Sequence, residues 1–347
     1  MARIVSAAIA IPPTNATQLD AVEYARHHFS SKFADIDRLL AVYKSSRVES
    51  RQFCVPKEWF FKAHDLEEKN NTYIEWACRL GAEAARKCLD KAVTFPEEIN
   101  HIIFVSTTGL ATPSIDARLA NILKMGSEIS RVPVWGLGCA GGAMGLAMAH
   151  DYIKAYPQSK VLLVAVELCG LTFQFDDFSK SNLVATALFG DGAAAVLLDG
   201  GEGGPEIVAA QSTLWPDSLD VMGWNILNNG MQVVFAKTIA NIVNKNAREN
   251  IENFIVKHDL SLDNISYFLF HPGGAKVVDA YRQALCLGPD ALTLSEAVLR
   301  EHGNMSSVTI LYILERFLRS EYKRPGAWGL LSALGPGFSS QSLLFKT

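Results

Sequence analysis

No two of the six cysteines, Cys54, Cys78, Cys88, Cys139, Cys169 and Cys286, form a C-x-x-C pair in this 347-residue chain. That absence argues against a zinc ribbon or a thioredoxin-type site. It leaves scattered free thiols, as a reducing compartment would keep them. No run of about 18 or more apolar residues occurs, so neither a transmembrane helix nor stable membrane insertion is expected. Residues 1–13 carry one arginine and a short apolar run, without the length or cleavage pattern of a signal peptide. Residues 4–9 read instead as a first strand, and a cytoplasmic location is the expectation. Long basic runs are also missing. The formal net charge is -4, and the densest cationic stretch, residues 44–51, is too small for a nucleic-acid footprint, although it suits a small polyanion. What remains is an ordinary globular composition, 49% apolar and 20% charged, on a chain long enough for two domains or for one domain made of two halves.

Strand-like and helix-like runs alternate. Strands are expected at 102–106 (IIFVS), 132–135 (VPVW), 161–167 (VLLVAVE), 193–198 (AAAVLL), 267–270 (YFLF) and 328–332 (WGLLS). Helices are expected at 73–92, 139–156, 233–258, 275–285 and 306–319. Continuous apolar strands between helices indicate an α/β protein with sheets covered on both faces. The glycine-rich, charged stretch 199–205 (DGGEGGP) reads as a linker or exposed turn, and divides an N-terminal part, 1–203, from a C-terminal part, 204–347. No short internal repeat is visible. The helix from Cys139 is unusual: its first three turns, CAGGAMGLAMA, contain no charge and three glycines. A helix apolar all round belongs in a core, and the glycines make sense where other backbones pack closely on it.

Residues 136–141 spell GLGCAG, a literal G-x-G-x-x-G between a strand and a helix, with Glu167 ending the next strand. That is the context of a dinucleotide-binding turn, the acid holding a ribose. A second reading makes Cys139 a nucleophile whose thiolate is favoured by the helix N-terminus. A third makes it a small buried hydrophobe. The C-terminal part bears on the choice. A cysteine nucleophile needs a base, and an oxyanion or enolate needs hydrogen-bond donors. HPGG at 271–274 puts His271 at the end of an apolar strand, and HGNMSS at 302–307 puts Asn304 at the start of a helix. Cys139, His271 and Asn304 thus each sit at a junction where α/β folds place their sites.

With LFGDGA at 188–193 and GPGF at 335–338, this ordered set of motifs resembles the type III polyketide synthases, the chalcone synthase-like branch of the thiolase-like condensing enzymes, over nearly the whole chain. Residues 51–73, with PKEWF and EEKNNTY, look like the bacterial long-chain alkylpyrone synthases of that family. The resemblance implies a five-layered αβαβα thiolase-like fold of two similar halves, a homodimer, and acyl-CoA and malonyl-CoA as substrates with no metal or bound cofactor. It implies catalytic Cys139, His271 and Asn304, the histidine stabilising the thiolate as an ion pair, and Phe189 as gatekeeper. It places pocket positions on Thr107, Thr112, Cys169, Thr172, Gly223, Val233 and Ser306, with Thr112 at the dimer interface. Lys44, Arg47 and Arg51 match the spacing of the family's CoA-phosphate contacts. Val233 replaces a second gatekeeping phenylalanine of the plant enzymes, which suits a long flexible acyl chain. A ketoacyl-ACP synthase III, an NAD(P)-binding oxidoreductase using residues 136–141, and a non-catalytic thiolase-like binding protein stand as alternatives.

Overall fold

The computed structural model describes residues 1–347 except 34, 237, 322 and 323. Its backbone is a nine-stranded sheet that joins two sets of strands. In the first set, Ala2–Ala10 runs antiparallel to Asp191–Asp199, which runs antiparallel to Val161–Leu168, which runs parallel to His101–Val105 and so to Ser130–Val134. In the second, Glu206–Leu214 runs antiparallel to Ser339–Lys346, which runs antiparallel to Trp328–Gly335, which runs parallel to Ile265–Phe270. The sets meet at Ala2↔Ile207 and Arg3↔Glu206. Outward from that join the senses repeat: antiparallel, antiparallel, parallel. This is the internal duplication that no residue-level repeat betrays.

Strand periodicity builds the layers. Every residue of Val161–Leu168 is buried, so the strand carries helices on both faces. Leu163 and Ala165 join a central core with the helices Gly141–Ala155 and Ser307–Arg319 and with Leu331, Ala333 and Leu343 of the second set. Leu162, Val164 and Val166 join an outer core under the long helix Leu66–Lys91. On the other side, Leu330, Leu334 and Leu344 pack under Ile239–Ile255 and Ala275–Ala284. Helix, sheet, helices, sheet and helices are the five layers of a thiolase-like fold. The glycines of the cysteine helix let the central layer close: a Cβ on Gly142 would strike the Ser307 carbonyl, and one on Gly141 would meet Val105 Cγ1 at 2.6 Å.

Some expectations need correction. The helix expected at 233–258 is Ile239–Ile255, and Val233 lies on a strand, Gly230–Phe235, hairpinned with Met222–Leu227. The apolar run was read at helical period, whereas Asn228, Asn229 and Gly230 supply the turn that pairs it with its neighbour. The strands Glu206–Leu214 and Ser339–Lys346 were not anticipated, being rich in Ser, Gln and Ala. The helix expected over 139–156 begins two residues later, at Gly141–Ala155, and Cys139 lies in a short 3₁₀ turn, Gly138–Ala140, before it.

Candidate active site

Cys139 sits in that 3₁₀ turn, 7% exposed, at the N-terminal end of the central helix. The turn is clamped from the second set of strands. Gly335 leaves no room for a side chain against Leu137 and Ala140, and Gly138, at φ +47°, lies under the Pro336 ring. Thr107 fixes the turn from the other side, its hydroxyl accepting the Gly138 N–H at 3.1 Å.

His271 follows the last residue of Ile265–Phe270 and donates its main-chain N–H to the Ser332 carbonyl at 2.8 Å, on the strand whose end clamps the cysteine turn. Its ring is buried, and both ring nitrogens lack a hydrogen-bond partner. Asn304 ties the pieces together. Its amide nitrogen donates to the Gly273 carbonyl at 2.9 Å, and its Oδ1 accepts the Ser306 N–H at 2.8 Å and lies 3.9 Å from Cys139 Sγ. Its backbone donates to the Leu188 carbonyl and accepts the Gly190 N–H, so that it pairs with Phe189 in a short parallel bridge. Gly303, at φ +67°, is needed there because a Cβ would collide with Leu188 O.

Burial dominates the electrostatics. It pushes the Cys139 thiol up to about 12; the hydrogen-bond contacts with Ser306 and Asn304 oppose this, and the nearby Glu167 charge adds to it. It pulls His271 down to about 3. Burial thus disfavours the charged form of each group taken alone.

Glu167 is fully buried and takes three donors: the Thr107 N–H, the Thr108 hydroxyl and the Ser307 hydroxyl, at 2.9, 3.0 and 2.6 Å. Burial raises its carboxyl to about 7. It is thus a brace beneath the cysteine turn, out of reach of any ribose, and the dinucleotide reading of residues 136–141 falls. Sequence reasoning saw Glu167 only in that rival role; an acid ending an all-apolar strand was the available signal.

A cavity of about 490 Å³ starts at Cys169, Phe189, Thr172 and Val233 and extends between the helix Gln18–Phe29 and the 3₁₀ turn Lys57–Phe61. Phe189 lies in the wall with Trp224, ring centroids 6.0 Å apart, and stacks on Phe235 at 5.4 Å. Of the other expected pocket positions, Thr107 and Ser306 belong to the cysteine turn and its neighbourhood rather than to this cavity. Gly223 is half-buried on the hairpin opposite Val234, and Thr112 is exposed. Among the described residues no group of three His, Cys, Asp or Glu is placed to hold a metal ion.

The basic trio separates. Arg51, read as a phosphate contact, is 1% exposed and spends its guanidinium on the Thr186 and Phe189 carbonyls and on Gln18. It braces the segment leading to Phe189 and cannot meet a phosphate at the surface, because the strand Ser50–Phe53 turns it inward. Arg47 is exposed but clasped by Asp279 in a two-pronged ion pair at 2.9 and 2.8 Å, and Lys44 is exposed.

A thiol braced at a helix N-terminus, with an amide brought to it and a buried imidazole carried on the next strand end by the second half of a duplicated αβαβα fold, fits the architecture of a thiolase-like condensing enzyme. Comparison with known proteins narrows this. Residues 1–202 match the N-terminal domain model of chalcone and stilbene synthases, and residues 206–347 match the C-terminal one. A Bacillus subtilis (strain 168) protein named "Putative chalcone synthase" is 47% identical over 100% of this chain and 99% of its own. A 1,3,6,8-tetrahydroxynaphthalene synthase of Streptomyces peucetius subsp. caesius is 38% identical over 97% and 91%. The crystal structure of the Streptomyces coelicolor A3(2) 1,3,6,8-tetrahydroxynaphthalene synthase, a bacterial type III polyketide synthase, superposes with a TM-score of 0.96 at 27% identity, covering 99% of each chain. The chain belongs to the chalcone and stilbene synthase family: it is a type III polyketide synthase, an acyltransferase-type condensing enzyme.

Proposed function

We propose that this synthase loads a long-chain fatty acyl-CoA on Cys139, extends it with malonyl-CoA and releases an alkylpyrone, or an alkylresorcinol where ring closure is by aldol chemistry. The observation that carries the reading is the cavity. Its inner end is Cys169, Phe189 and Val233, and its walls are mostly aromatic and aliphatic, as a flexible alkyl chain requires. Its outer rim, with Asp20, Glu23 and Glu58 against Lys57 and His27, is acidic on balance and unsuited to CoA phosphates. The thioester's CoA therefore reaches the thiol by another face, on which exposed Lys44, and Arg47 once released from Asp279, would meet the phosphates.

In this reading Cys139 Sγ gives its proton to His271 and attacks the starter thioester carbon; the tetrahedral intermediate collapses, the C–S bond to CoA breaks and the imidazolium returns the proton to the departing thiolate. Malonyl-CoA then loses CO2, and the electron pair of the broken C–C bond becomes an enolate whose oxygen takes hydrogen bonds from His271 and Asn304. The Asn304 amide nitrogen gives one N–H to Gly273 O and keeps its second for the enolate. The enolate carbon attacks the Cys139 thioester and displaces the thiolate. Phe189 excludes water and steers the malonyl group. The reaction uses no cofactor and no metal, the enzyme is a homodimer, and its scattered free thiols suit the cytoplasm.

The test is product analysis with malonyl-CoA and an acyl-CoA series from C2 to C18, with Cys139→Ala as control. Pyrones from the C12–C18 starters, absent with Cys139→Ala, are expected. Turnover of malonyl-CoA alone to a tetrahydroxynaphthalene, the product named for the Streptomyces relatives, with long chains refused, would overturn the starter assignment. Condensation by Cys139→Ala would overturn the mechanism.

A further inference from the structure

On the acyl reading of the cavity, on which this inference rests, the spacing of its walls decides which starters enter. Two segments supply the inner part. Cys169, Gly170, Thr172 and Phe173 come from the turn after the strand Val161–Leu168, and Trp224 and Val233 come from the hairpin Met222–Leu227/Gly230–Phe235. The hairpin is a two-stranded sheet of its own, apart from the nine-stranded one. Its distance from the turn is therefore set by side-chain contacts and not by the fixed spacing of a shared ladder.

Lys69, on the helix Leu66–Lys91, and Gln174 make those contacts. Both are buried, and each holds one carbonyl from each segment. Lys69 Nζ donates to Phe173 O and to Asn229 O in the hairpin turn, both at 2.9 Å. Gln174 Nε2 donates to Thr172 O at 3.2 Å and to Met231 O at 3.1 Å. The two side chains also meet, Lys69 Nζ lying 3.4 Å from Gln174 Oε1. Gly230, at φ +128°, leaves room for them: a Cβ there would come within 2.7 Å of Gln174 Nε2 and 3.3 Å of Lys69 Nζ. Burial lowers Lys69 to about 8, while Asp176 and Asp65 favour its charge, so at neutral pH it is an ammonium and its hydrogen bonds are charge-assisted. A buried ammonium costs free energy that a methionine in the same space would not. Neither Lys69 nor Gln174 lines the cavity, so any effect they have on the starter passes through the position of the walls.

We propose that Lys69 and Gln174 are positioning residues for starter choice: their clasp holds the cavity to the cross-section of a straight alkyl chain and so excludes planar aromatic starters. The experiment measures kcat and KM of the full-length enzyme with malonyl-CoA and two nine-carbon starters of different width, nonanoyl-CoA and cinnamoyl-CoA, beside hexadecanoyl-CoA. Wild type should favour nonanoyl-CoA over cinnamoyl-CoA by about tenfold or more in kcat/KM. In Lys69→Met that ratio should fall by about tenfold, through a lower KM for cinnamoyl-CoA; a general loss of structure would instead lower kcat for both starters. Gln174→Glu, which keeps the shape but loses both amide donations, should lower the ratio in the same way. Wild type taking cinnamoyl-CoA as readily as nonanoyl-CoA, or either variant keeping the wild-type ratio, overturns the proposal, while turnover of hexadecanoyl-CoA leaves the acyl reading standing. Refusal of hexadecanoyl-CoA by wild type overturns that reading and the proposal with it. If Lys69→Met folds poorly, the wild-type ratio and Gln174→Glu decide the matter.

Discussion

At Cys139 two fields oppose each other: the helix N-terminus favours a thiolate, while burial and the Glu167 carboxylate resist it. Glutamine at 167 can keep the contacts to Thr107 and Thr108 through its carbonyl and donate its amide to Ser307 Oγ, so the brace survives while the charge is lost. Glu167 raises the thiol, so its removal must lower it. In Glu167→Gln the pH profile of iodoacetamide inactivation should move to lower pH. The gap from wild type should be widest above pH 7, where the native carboxyl, raised to about 7, is ionised. An unmoved or upward-shifted profile would refute the coupling. At this scale the sequence disclosed Cys139, His271 and Asn304, because each stands at a junction that glycines mark. It misread Arg51, since spacing along a chain says nothing about which face of a short strand a guanidinium takes.

Among the elements, the two central helices are the tightest contact, and Gly142 is where they touch: a Cβ there would overlap the Ser307 carbonyl. Gly142→Ala should destabilise the fold by about 3 kcal/mol or leave it insoluble, read by denaturant unfolding, because neither backbone can give way inside a filled core. The hairpin Met222–Leu227/Gly230–Phe235 matters differently, for it hangs Val233 and Trp224 over the cavity's inner end. Val233→Phe should shift the acyl-CoA optimum toward short chains, lowering kcat/KM for C16 relative to C6 by about tenfold or more. An unchanged chain-length profile would detach Val233 from starter choice. Val233 was singled out by resemblance, but its element was assigned as helix: an apolar run of this length fits either period until its hairpin partner is known.

For the whole molecule, the central layer draws one helix from each half, so neither half can bury its inner face alone. Outside that layer, Leu110 and Trp135 are each 48% exposed, beyond the ends of the parallel neighbours His101–Val105 and Ser130–Val134 and close in sequence to exposed Thr112. That apolar end is where the proposed second copy would sit. Sedimentation velocity should give twice the 37.9 kDa chain, and Trp135→Glu should reduce it toward the monomer; a wild-type monomer at micromolar concentration would sink the dimer.

Sequence alone determined the α/β class, the apolar central helix, the three junction residues and the reaction family. These follow from local periodicity, glycine punctuation and the order of motifs along the chain. Only the tertiary structure decided that the halves repeat one sheet pattern, that Glu167 is a brace, and that Arg51 points inward. It also set Lys69, from a helix remote in the chain, between the hairpin and the Cys169 turn. Each of these depends on which distant backbones are brought together, and on the burial that results. Burial also works against what the helix N-terminus favours, raising the Cys139 thiol rather than lowering it.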